Sequence, residues 1–83
     1  MEAKIIITAV RGSWVFGTVA GCEFEVKHFD APSKYGIDGG RISKLWIRRS
    51  CKPAFALYDR GWDTMPDTEE DRKILAAILA RFN

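Results

Sequence analysis

Lys44, Trp46 and Arg48 are the residues of this chain whose types and spacing suit a definite chemistry. At i, i+2 and i+4 of an extended segment they point to one side. Arg41, Arg49 and Lys52 lie close by in the sequence. A ring flanked by cations is how sheet proteins hold single-stranded nucleic acid: bases stack on the aromatic face and phosphates meet the Lys and Arg heads. The same pattern also describes a solvated strand whose Lys and Arg stems shield a Trp, or a Trp placed at a dimer contact. A single Trp with no second ring nearby in sequence is a thin platform for bases.

A second polar group, Asp59, Arg60, Trp62 and Asp63, follows Tyr58 and precedes Pro66. It reads either as a ligand cluster or as a corner. In the corner reading Gly61 takes a positive φ between strand and helix, Trp62 closes the core edge, and the two carboxylates accept from backbone amides. Turn and cap roles account for every member, and no spacing demands a ligand. The Gly36-Ile37-Asp38-Gly39-Gly40-Arg41 stretch is neither a Walker A loop nor a dinucleotide fingerprint. It leads into a strand pattern where those lead into a helix, so a flexible hairpin loop is expected. His28 is the only histidine. With Asp30 and Cys22 or Cys51 it sketches a hydrolase or a metal site, but no metal spacing joins them, and its alternation with Phe24 and Val26 puts it at a core edge. No serine sits in a nucleophile elbow. No catalytic, metal-ligating or cofactor-binding residue is therefore assigned, no small-molecule substrate is evident, and a non-enzymatic protein is expected.

The elements that must position these residues follow from pattern. Residues 4–11 are rich in Ile, Val and Thr and read as a strand, and 14–19 read as a second across a Gly12-Ser13 turn. Gly17 inside that second strand marks a bulge or a close backbone approach. Residues 22–29 alternate, with Phe24, Val26 and His28 on one side and Glu23, Glu25 and Lys27 on the other. A fourth strand over 41–49 would set Ser43, Leu45 and Ile47 against Ile42, Lys44, Trp46 and Arg48, and a fifth runs over 54–59. Residues 60–66 read as a linker. Over 67–82, Ile74, Leu75, Ile78, Leu79 and Phe82 share one side of a helix. Asp67 with Glu70 forms a capping box there, with Thr68 and Asp71 as the competing register.

Short links favour a meander. The expected fold is thus a single α+β domain over 1–83: a twisted, mainly antiparallel sheet of four or five strands over 3–59, packed against one C-terminal helix. At 83 residues with 47% hydrophobic content, the chain is an ordinary globular domain near the lower size for one core. Met1 leads almost directly to Ile5-Ile6-Ile7 without a signal-peptide pattern, and no apolar run reaches membrane-spanning length. No membrane association and a cytoplasmic location are expected. Cys22 and Cys51 read as two small, buried or half-buried thiols. Net charge is only +2, yet residues 1–60 hold ten Lys/Arg against six Asp/Glu, so a local basic patch is possible without a general pull on nucleic acid.

The stretch from Gly36 to Leu45 and the Tyr58-Asp59-Arg60-Gly61-Trp62-Asp63 ending resemble short uncharacterised proteins of phages and mobile elements of Gram-positive bacteria. That resemblance implies no established activity. The residues themselves point first to a small accessory protein working through protein–protein contacts. Single-stranded nucleic-acid binding on the Lys44–Trp46–Arg48 face is the alternative. The first two strands are apolar on both sides, more than one helix can cover, so the second face is expected to meet a protein partner or form a homodimer, unless the sheet curls over itself.

Overall fold

A computed structural model describes residues 4–83 of the chain; the expected start of the sheet at residue 3 lies outside them. Six strands follow one another in sequence order across one antiparallel sheet: β1 (Ile5–Arg11), β2 (Trp14–Val19), β3 (Cys22–His28), β4 (Ile42–Arg49), β5 (Ala54–Asp59) and β6 (Trp62–Thr64). A single helix, α1 (Glu69–Phe82), backs one face. The fold is the α+β meander that the short links imply, with one strand more than the four or five expected. The extra strand is β6, inside the 60–66 segment read as a linker. Three residues are too short for alternation to show, and what makes them a strand is pairing with β5 at Leu57–Thr64 and Tyr58–Trp62.

The tight turns are built on left-handed backbone. Ala20 and Gly21 both have positive φ (50° and 78°), as a two-residue hairpin between right-twisting strands requires. Gly17 is a close approach. A Cβ there would lie 2.9 Å from the Phe24 ring on the neighbouring strand, so the ring lies over the bare backbone.

Val15, Val19, Cys22, Phe24, Val26, Ile42, Leu45, Ile47, Ala56 and Tyr58 are buried on the helix side of the sheet, facing Ile74, Leu75, Ile78 and Phe82. Ile42 departs from the expected alternation. The β3–β4 register slips between Lys27–Lys44 and His28–Ile42, leaving Ser43 as the extra residue, and this bulge turns Ile42 into the core while Lys44, Trp46 and Arg48 stay on the other side. Leu79 is only half-buried, at the margin of the helix contact. Thr68 caps the helix, accepting from the Asp71 amide at 3.1 Å, so the competing register is the one adopted and the helix starts at Glu69. The 36–41 loop is anchored rather than flexible. Ile37 is buried, and the Asn83 side chain accepts from the Ile42 amide at 3.0 Å while donating to the Ile37 carbonyl at 3.0 Å. No described helix is long and apolar enough to cross a membrane.

Candidate functional site: the open sheet face and its basic recess

The face turned away from α1 carries three cross-strand rows. Strand pairing aligns Phe16, Glu25, Trp46 and Leu57 in the central one. Trp14, Lys27, Lys44 and Asp59 form a second, and Thr18, Glu23 and Arg48 a third. Trp14, Phe16, Trp46 and Leu57 are all half-exposed. Lys44, Trp46 and Arg48 thus share a face as their spacing requires, and the pairing of β2 with β3 brings two further rings to it. Trp14 and Phe16 stack with centroids 6.3 Å apart, and Trp14 and Trp46 line one shallow depression of about 240 Å³. Trp46 also borders a second, of about 250 Å³, with Phe16. The Arg48 guanidinium lies 4.9 Å from the Trp46 ring centre, a cation–π contact on the open face.

Two of the three acids on this face are paired. Arg48 meets Glu23 at 3.4 Å and Lys44 meets Asp59 at 3.8 Å. These exposed pairs contribute little to stability and can exchange partners with a ligand at small cost. Lys27 makes no ion pair among the described residues; its ammonium lies 5.9 Å from the Trp14 ring and 5.6 Å from Phe29.

Beyond Lys27 and Lys44 the face runs into a recess of about 390 Å³ lined by Lys27, Phe29, Ser33, Tyr35, Gly36, Arg41, Ser43, Lys44 and Arg60. Four of these are cations and none is an acid. Local structure explains the gathering. The bulge at Ser43 widens the end of β4, and Arg60 sits in the β5–β6 turn with φ 56°, its amide donating to the Ser43 carbonyl at 3.0 Å. Such backbone disfavours a residue with a Cβ, and the paired turn holds it there. The Tyr58 hydroxyl donates to the Tyr35 carbonyl at 2.7 Å, fixing the opposite wall.

Other expected site residues part company. Arg49 turns to the helix side, where it pairs with the buried Asp71 and with Glu70 at 3.4 Å and covers the Phe55 ring, so it does not belong to the basic open face. Its hydrogen bond to Asp71 raises its pKa further. The Asp59, Arg60, Trp62 and Asp63 group is divided. Asp59 serves Lys44 and Arg60 the recess, while Trp62 packs edge-on against Tyr58 at 5.1 Å on the core side and Asp63 is exposed. The positive φ expected of Gly61 falls on Arg60 instead, because the turn closes a hairpin and not a strand-to-helix corner. His28 packs edge-on against Phe82 at 5.3 Å; burial, then Arg41, lowers its pKa. Cys22 is buried, which raises its thiol pKa, whereas Cys51 is exposed in the β4–β5 turn, not half-buried. No group of three or more His, Cys, Asp or Glu side chains suited to a metal occurs among the described residues. Phe29, Tyr35, Lys27 and Trp14 escaped sequence reasoning because they reach the site from separate strands and a loop. Only the alternation of 22–29 put Lys27 on the open side.

Fold and site together define a small α+β scaffold: one helix-backed antiparallel sheet whose open face is aromatic and of mixed charge, with a basic recess at one end. The chain belongs to the family described as a domain of unknown function, DUF7678, whose model matches residues 13–83 and so takes in β2 to α1 and every residue lining the recess. No curated protein matches the chain, and no solved structure does.

Proposed function

We propose that this chain is a non-enzymatic binding module that takes up single-stranded nucleic acid on its open sheet face. One observation carries the reading: Trp46 lies on one face with Trp14 and Phe16 of a different strand and with Lys27, Lys44 and Arg48. The objection that Trp46 stands alone is thereby removed. Successive bases have more than one ring to stack on, and the cations between them match a phosphate backbone. Glu25, between Phe16 and Trp46, makes no ion pair among the described residues and repels phosphate, so the backbone of a bound strand follows the Lys27–Lys44 row and not the central one. Fluorescence anisotropy of a labelled dT12 oligonucleotide tests this. Binding at low salt, weakening steadily as salt rises, and reduced roughly 5- to 100-fold by Trp46→Ala, supports it. Absence of binding at low salt removes it.

A second reading, contact with a protein, is favoured by β1. Ile6, Ile7 and Val10 are 52%, 40% and 62% exposed on this edge strand, which is paired on one side only. An apolar edge of this kind suits strand addition by a second copy of the chain. Sedimentation equilibrium of the 9.4 kDa chain at high micromolar concentration separates the two, since a monomer excludes the homodimer.

A further inference from the structure

We infer that the recess between the 29–41 loop and the Lys27–Lys44 end of the sheet binds one nucleotide, its phosphate held by Arg41, Arg60 and Lys27 and its base stacked on Phe29 or Tyr35. The inference rests on the nucleic-acid reading for the kind of ligand, and the experiment below separates the two.

Charge comes first. Four cations line about 390 Å³ with no carboxylate among the lining residues. Lys44 is partly engaged by Asp59 at 3.8 Å and Arg41 Nε donates to the Asn83 backbone oxygen at 3.4 Å, which leaves its two terminal nitrogens to a ligand, while Lys27 and Arg60 make no ion pair among the described residues. Like charges brought together repel, and an anion seated among them relieves that repulsion. Arginine forks favour a phosphate, whose oxygens accept paired donors. Ser33 adds a neutral donor: its hydroxyl oxygen accepts from the Tyr35 amide at 3.2 Å, leaving the hydroxyl proton for a ligand.

The rings narrow the class. Phe29 and Tyr35 are 45% and 53% exposed, among the largest apolar surfaces left uncovered by the fold, and both stand at the recess. Exposed rings beside unpaired cations suit a ligand with a flat aromatic part and a phosphate. The volume falls within the range of roughly 300–1,000 Å³ typical of small-ligand sites. The walls are also set before any ligand arrives. Besides the Tyr58 and Asn83 bonds, the Ser33 amide donates to the Gly40 carbonyl at 3.0 Å and the Phe29 amide to the Arg41 carbonyl at 3.1 Å, closing the loop on itself just before β4. Such a site accepts a free mononucleotide or one residue of a strand crossing from the Trp14 and Trp46 rows, because Lys44 borders both.

Isothermal titration of the full chain with AMP, adenosine, inorganic phosphate and dT12 tests this, in the wild type, Arg60→Gln and Trp46→Ala. Arg60 is exposed, so its replacement leaves the core untouched, and circular dichroism confirms folding. AMP is expected to bind at least tenfold more tightly than adenosine or phosphate. Arg60→Gln should weaken AMP at least tenfold, while Trp46→Ala weakens dT12 and leaves AMP unchanged. AMP binding without dT12 binding upholds the recess and removes the strand reading. Binding of dT12 that ignores Arg60→Gln, with no AMP binding, overturns the recess and leaves the open face standing. Phosphate binding as tight as AMP overturns the nucleotide assignment, as does AMP affinity unmoved by Arg60→Gln in a folded chain.

Discussion

Replacing Asn83 by Ala should loosen the loop that walls the recess. The Asn83 side chain accepts from the Ile42 amide and donates to the Ile37 carbonyl, both at 3.0 Å, so it joins the end of α1 to both sides of the 36–41 loop. Each such bond contributes about 0.5–1.5 kcal/mol, and leaving a buried partner unsatisfied costs about 1–3 kcal/mol. Asn83 is half-buried, so water recovers part of the loss. The expected cost is about 1–3 kcal/mol, or roughly 4–8 °C in Tm for each kcal/mol in a domain of this size. Gly40 supplies an internal check. A Cβ there would run into the Asn83 side chain, while its φ of −94° is open to any residue. Gly40→Ala should therefore cost a similar amount by displacing Asn83, and less once Asn83 is already Ala. Urea unfolding of the two single variants and the double variant measures this coupling. Strict additivity, or an Asn83→Ala variant within about 0.3 kcal/mol of wild type, refutes the claim that this side chain holds the loop.

Three further outcomes follow. Ile78 is fully buried beneath the sheet, so Ile78→Asp should cost about 4 kcal/mol or more and leave the chain unfolded by near-ultraviolet dichroism; a native-like spectrum would place α1 elsewhere. Leu79 is only half-buried, and Leu79→Asp should cost about 1–2 kcal/mol and remain folded, which thermal melting checks. Burial, then Arg41, holds the folded pKa of His28 below its ordinary value of about 6.5, so the unfolded chain binds the extra proton first. Its contribution to stability is present above that pH and is lost as pH falls below it; His28→Gln should flatten urea midpoints between pH 7.5 and 5.5, and an unchanged pH profile would count against the assignment.

Much of this fold is legible in the chain because the signals are local. Clean alternation in 22–28, two-residue turns at Gly12-Ser13 and Ala20-Gly21, and the apolar stripe of 74–82 each act within a few residues. What was not legible depends on partners far away. The bulge that turns Ile42 inward arises from a register slip against His28, and β6 exists only through pairing with β5. Arg49, next to Arg48, falls by alternation on the helix side, but its partner there, Asp71, is 22 residues on and carries no local signal. The site shows the same division. Lys44, Trp46 and Arg48 announce their common face by spacing alone. Trp14, Phe16, Phe29, Tyr35 and Arg60 reach it only through strand order and an anchored loop, and composition carries no trace of that.

The central claim, that the open face stacks bases, is tested most directly by the intrinsic fluorescence of the chain as unlabelled poly(dT) is added. The three tryptophans divide usefully: Trp14 and Trp46 stand half-exposed on the open face, while Trp62 packs against Tyr58 on the core side. A stacked base quenches the indole beneath it. Saturable quenching that survives Trp62→Phe, shrinks with Trp14→Phe or Trp46→Phe, and disappears when both are changed is the predicted result. Fluorescence that stays constant at low salt, or quenching confined to Trp62, contradicts it.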